Sequence, residues 1–100
     1  MSPRNLECDP LLANVLHAFY EYWLTIDRPA EDREVCYSWV APVHARRFGG
    51  TFHQSALQRL ADLGLLIPAD SARSGNRRYY KIADLVAVQD LIRNSAAAVT

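Results

Sequence analysis

One hundred residues, 50% of them apolar and with 11 basic side chains balanced by 11 acidic ones, describe a single domain able to close one core. That composition excludes a disordered chain, and the zero net charge excludes a histone-like polycation. The balance is uneven along the chain. Residues 1–40 carry seven acids (Glu7, Asp9, Glu21, Asp27, Glu31, Asp32, Glu34) against three bases, whereas residues 41–100 carry eight bases against four acids. Positive potential is therefore concentrated in the second part.

Residues 1–8 read as a loose lead-in. Asp9-Pro10 suits a helix start, with Asp as N-cap and Pro at the first helical position, where its missing N–H costs nothing. Leu12, Val15, Leu16, Phe19 and Trp23 follow at steps of three and four, predicting an amphipathic helix as far as about Ile26. Leu11, Ala18 and Tyr22 widen its apolar face beyond what one core needs, which points to a partner subunit. Phe19, Tyr20, Tyr22 and Trp23 could also line a ligand pocket, although packing accounts for them without one. Residues 27–34 read as a charged loop.

Val35-Cys36-Tyr37 is rich in strand formers and predicts a small edge strand. Ser38 is placed to cap a helix over Trp39–Phe48, with Pro42 in its first turn and Gly49-Gly50 ending it. Thr51 is placed to cap a third helix over 51–63, with Gly64 just past its end. Leu65-Leu66-Ile67 and Arg77–Ile82 are predicted to be the two arms of a hairpin, with its tip at Ala69–Asn76. A last helix runs from Ala83 or Asp84 to Arg93, leaving 94–100 as a frayed tail.

Some chemistry is excluded. Cys8 and Cys36 belong to no Cys-x-x-Cys or Cys/His ligand pattern, so reduced thiols and no structural zinc are expected. His17 and His44 fall on separate helices without a ligand partner, and His53 is expected on the inward face of the third helix. There is no phosphate-binding glycine loop, nucleophile elbow or His-Glu-x-x-His, so no enzyme, metal or cofactor is expected. No apolar run approaches membrane-spanning length and no signal peptide is visible, which predicts a cytoplasmic protein with no membrane partner.

The stretch TFHQSALQRLADLGLLIPADSARSGNRRYYKIAD, residues 51–84, places a helix directly before a basic hairpin. The predicted order of elements (α-β-α-α-β-wing-β-α, over 9–93) resembles the winged helix-turn-helix regulators of bacteria, such as the MarR, ArsR and PadR groups. The segment GLLIPADSARSGNRRYY is also similar to the wing of MerR-type regulators, which carries Gly-Leu-Leu-x-Pro and then Gly-x-Arg-x-Tyr; Arg77 and Tyr79 supply the Arg-x-Tyr. The chain departs from the MerR plan in having a helical lead of some thirty residues and no coiled coil. The resemblance implies a mainly α winged helix with a small β-hairpin, and double-stranded DNA as partner.

Stepping the third helix at 100° per residue puts Phe52, His53, Ala56, Leu57, Leu60 and Leu63 on one side. Thr51, Gln54, Ser55, Gln58 and Asp62 face the other way, with Arg59 on the flank. Gln pairs bidentately with adenine, and Ser or Thr serves base or phosphate, so this face suits base readout. Asp62 opposes it, being repelled by phosphates. The basic wing, 68–81, offers Arg73, Arg77, Arg78 and Lys81, with Tyr79 or Tyr80 expected to pack on the third helix. Arg46 and Arg47, at the end of the second helix, are candidate phosphate contacts. The expected function is sequence-specific DNA binding by a small transcriptional regulator, dimerising through the first and last helices by way of Leu11, Ala18, Tyr22, Trp23, Val88 and Leu91. An effector is not identifiable. The alternative is a winged-helix protein-interaction module without DNA binding, which the neutral charge, Asp62 and the acidic first part favour.

Overall fold

A computed structural model of the chain describes residues 10–69 and 78–99, and the side chains of 11–69 and 78–93. The predicted apolar stripe forms helix α1, Pro10–Trp23. Leu12, Val15, Leu16, Phe19 and Trp23 are all buried, the middle three almost completely. Full burial of each such side chain contributes about 1.5–3 kcal/mol. The helix stops before Ile26 because its last turn tightens, with Thr25 N–H donating to the Tyr22 carbonyl and Ile26 N–H to that of Trp23. Ile26 still packs against the core.

The loop after α1 contains a single 3-10 turn, Ala30–Asp32, and is tied down by Arg33. Its guanidinium lies 4.5 Å above the Trp23 ring while Nε donates to the Arg28 carbonyl at 2.7 Å. Strand β1, Val35–Cys36, runs straight into helix α2, Tyr37–Phe48. The helix thus starts two residues before the predicted Trp39, and Ser38 lies inside it rather than capping it. Pro42 consequently falls in the second turn, where its missing N–H removes the donor that would bond the Ser38 carbonyl.

Helix α3 spans Ser55–Asp62, shorter than the predicted 51–63. Its end is as expected. Gly64, at φ 82°, donates to the Ala61 carbonyl and Leu65 to that of Leu60, the paired bonds of a Schellman motif. Leu65 is fully buried beyond it.

Strands β2, Leu66–Pro68, and β3, Tyr79–Ile82, pair antiparallel, and β1 joins the other side of β3, giving the order β1-β3-β2. The sequence read β1 correctly as an edge strand. Being central, β3 buries both of its adjacent tyrosines. Tyr79 meets Trp39 of α2 edge-on, and Tyr80 donates a hydrogen bond to Gln58 of α3. The expected packing of a tyrosine on the third helix is therefore made by Tyr80. Residues 70–77, which hold all but the first residue of the expected hairpin tip, with Arg73, and the first residue of the arm after it, Arg77, lie outside the described residues, as do residues 1–9.

Helix α4, Leu85–Val99, is capped by Asp84, whose carboxylate accepts from Ala87 N–H at 3.1 Å. It continues past Arg93 through the stretch expected to fray, because three successive alanines have the highest helix propensity. Gln89 of α4 donates to the Tyr20 hydroxyl of α1 at 3.1 Å. The molecule is mainly helical with a small three-stranded antiparallel sheet. Among the described residues, no helix is long and apolar enough to cross a membrane.

The predicted dimer face needs correction. Ala18, Trp23 and Val88 are buried within the single chain, because α1 packs against α2, α3, α4 and β1 at once. The wide apolar face is consumed internally. Tyr22 stacks on Trp39 at 5.6 Å, and Leu91 packs against the core. Of the six, only Leu11 is well exposed.

The αL geometry at Gly64 gives a direct test of the α3 boundary. Gly64→Ala should lower stability by roughly 1–2 kcal/mol, read as a lower denaturation midpoint with unchanged slope.

Candidate functional site

Residues leading into α3 set the geometry of the outward surface. Phe52 is buried, its ring edge-on to Tyr37, and its carbonyl accepts from the Tyr37 hydroxyl at 2.8 Å. This contact ties the start of α2 to the approach to α3. His53 then turns outward and is exposed, which corrects the inward placement expected for it. Its Nδ1 accepts from Ser55 N–H at 3.1 Å and lies 3.0 Å from Ser55 Oγ, while Gln54 rather than Thr51 holds the N-cap position, without a side-chain cap bond. The 100° stepping misplaced it because residues 51–54 are not part of the helix.

From Ser55 onward the helical pattern holds. Ala56, Leu57 and Leu60 face the core, while Ser55, Arg59 and Asp62 are exposed. Gln58 is half-buried and held at both ends of its amide. Tyr80 Oη donates to Oε1 at 3.3 Å, and Nε2 donates to Asp62 Oδ1 at 3.0 Å. The neighbouring Gln54 is exposed.

Between the start of α2, the outward face of α3 and the root of β3 lies a cleft of about 680 Å³. Gln54, Ser55, Gln58 and Arg78 of the predicted site line it together. Its walls also include Tyr37, Ser38, His53 and Tyr80, which the sequence reading did not assign to a site. Their presence follows from β1 running directly into α2, a continuity that strand propensity alone could not show. Among the described lining residues Arg78 is the one permanent charge and none is acidic, so the cleft is a place for electron-rich groups.

The other predicted contacts lie elsewhere. Thr51 is exposed ahead of α3, and Arg46 and Arg47 are exposed at the end of α2; none of these lines the cleft. Arg47 is engaged by Glu21 of α1, Nε to Oε2 at 3.0 Å, which leaves Arg46 the better placed of the two for an outside anion. Lys81 lies 3.9 Å from Glu34, so it is partly neutralised within the sheet. His17 and His44, on different helices, both pack on Phe48, with ring centroids 5.7 and 5.5 Å away. Among the described residues no group of His, Cys, Asp or Glu could hold a metal ion, and Cys36 is a free, buried thiol. Tyr20 and Trp23 stack on each other, so the aromatic set of α1 serves packing.

Comparison with protein-family models, curated proteins and solved structures finds no match to the chain.

Burial and the nearby Arg47 guanidinium hold the His17 pKa below its ordinary 6.5, against a smaller opposing pull from Glu21. The unfolded chain then binds the proton more readily than the folded one. Stability should be full above about pH 6.5 and fall as the pH drops through that value toward the lowered folded-state pKa. Melting curves between pH 7.5 and 5 should show this loss (roughly the range in which an imidazole titrates), and it should be smaller in His17→Gln.

Proposed function

We propose that the chain is a small winged-helix protein that binds double-stranded DNA in a sequence-specific manner, as a transcriptional regulator. The observation that carries this reading is the cleft. It sets the polar face of α3 beside Arg78 at the root of the β2–β3 hairpin, with no acidic side chain among its described lining. A recognition helix next to a basic hairpin is the arrangement that reads base edges and phosphates together. The order of the elements, with α2 and α3 preceding the hairpin, supports the same assignment.

In this reading α3 enters a major groove by its N-terminal end. Thr51, Gln54 and Ser55 lead, Gln58 and Arg59 lie behind, and Asp62, at the far end of the helix, opposes the phosphates by its charge. Arg78 contacts backbone beside the groove, together with Arg73 and Arg77, which lie outside the described residues. Arg46 holds a phosphate at the end of α2. A homodimer pairing two half-sites fits the same picture, with its contact restricted to side chains such as Leu11 that the single chain leaves exposed.

A second reading, a protein-interaction module, draws on Ile67, which is 52% exposed on the edge strand β2. The two separate on charge, since a protein-binding version has no need of a salt-sensitive grip on phosphates.

Fluorescence anisotropy with random duplex DNA at two salt concentrations decides between them. The DNA reading expects dissociation constants on the order of 1–100 µM that weaken steeply with salt. Arg73→Ala/Arg78→Ala should reduce the logarithmic salt slope by about 2. No binding at low salt rejects the DNA reading and favours a protein partner. On a selected site, Gln54→Ala should cost roughly 1–3 kcal/mol and relax the preference at one base pair.

A further inference from the structure

Gln58 is the one outward residue of α3 whose amide is gripped at both ends, and the grip has a direction. An ionised carboxylate only accepts hydrogen bonds, so Asp62 requires the amide nitrogen of Gln58 to face it. The Tyr80 hydroxyl, delivered from the central strand, donates to the amide oxygen. A flipped amide would keep a bond to Tyr80, whose hydroxyl can also accept, but would lose the one to Asp62, so Asp62 sets the direction. A glutamine amide has two N–H donors and two oxygen lone pairs, all in one plane. These two bonds use one of each and leave one donor and one acceptor open.

We propose that Asp62 is a positioning residue that fixes the orientation of the Gln58 amide for reading adenine, with Tyr80 steadying its other end, and that Asp62 is thereby a specificity-determining residue although its charge opposes DNA. The inference rests on the DNA-binding reading above. Adenine presents a ring nitrogen that accepts and an amino group that donates, and it is matched by one donor and one acceptor in a set order. A free amide flips and offers either order. An amide locked by Asp62 offers one, and pays less conformational entropy when it binds. Asp62 is exposed at the last residue of α3, so its replacement leaves the core intact. The bond spans i to i+4, a spacing that also supports a helix, so a test must separate orientation from helix support.

Asp62→Asn does so, because an asparagine side chain either donates or accepts and no longer dictates the flip of Gln58. A duplex selected from a random library by the wild-type protein, its single base-pair variants and random duplex are titrated by anisotropy with wild type, Asp62→Asn and Tyr80→Phe. The selected duplex should contain an A·T pair whose replacement by G·C weakens wild-type binding by about tenfold or more. Asp62→Asn should bind random duplex several-fold more tightly, because a charge that repels phosphate is gone, and yet lose most of that discrimination. Tyr80→Phe, in which Asp62 still sets the direction of the amide, should keep most of it. The side-chain amide resonances of Gln58 in the free proteins should shift in both variants, a readout that needs no DNA. Undiminished discrimination in Asp62→Asn overturns this proposal and leaves DNA binding standing. No DNA binding by the wild type overturns both.

Discussion

The burial of α1 on several sides is the constraint from which the remaining architecture follows. Val15, Ala18 and Phe19 have no exposed surface, and α2, α3, α4 and β1 all touch this helix. A helix apolar over so wide an arc cannot be satisfied by one neighbour, so the chain folds around it. Each later element arrives with its own anchor. Arg33 stacked over Trp23 fixes the loop that delivers β1, Glu21 holds Arg47 of α2, and Tyr20 receives a bond from Gln89 of α4.

The central strand β3 plays the matching role for the outward surface. Its two adjacent tyrosines point to opposite faces of the sheet and reach different helices, Tyr79 to α2 and Tyr80 to α3. The root of the hairpin is thereby held in register with the helix beside it, and Arg78 is set at one wall of the cleft. Tyr37 completes the frame by bonding the Phe52 carbonyl across to the approach to α3. Three such contacts brace this surface, and the one from Tyr80 holds one end of the Gln58 amide.

Aromatic packing carries a cost in unpaired polar atoms. His44 is 3% exposed between Phe48 and Phe52, and among the described residues neither ring nitrogen has a hydrogen-bond partner; Trp23 Nε1 is buried in the same condition. Each such group forfeits about 1–3 kcal/mol of desolvation. Both sit among packed rings, His44 against Phe48 and Phe52 and Trp23 against Tyr20.

The sequence by itself determined the order and type of the elements, the inward stripe of α1, the Gly64 stop of α3 and the inward and outward faces of α3 from Ser55 onward. These rest on local periodicity and on backbone conformations that few residues adopt, so they can be read over short windows. It also grouped Gln54, Ser55, Gln58 and Arg78 with Thr51, Arg59, Arg46 and Arg47; the cleft is lined by the first four and not by the last four. The start of α3 and the outward turn of His53 were decided by tertiary structure, since Phe52 is drawn inward by Tyr37, fifteen residues earlier. So was the fate of Ala18, Trp23 and Val88, whose apolar character is the same whether a partner subunit or the chain itself covers them. The hold of Tyr80 and Asp62 on Gln58 belongs to the same class, because the Tyr80 hydroxyl reaches the amide only once β3 lies beside α3. Contacts between residues distant in the chain depend on how elements pack, and no local pattern encodes that.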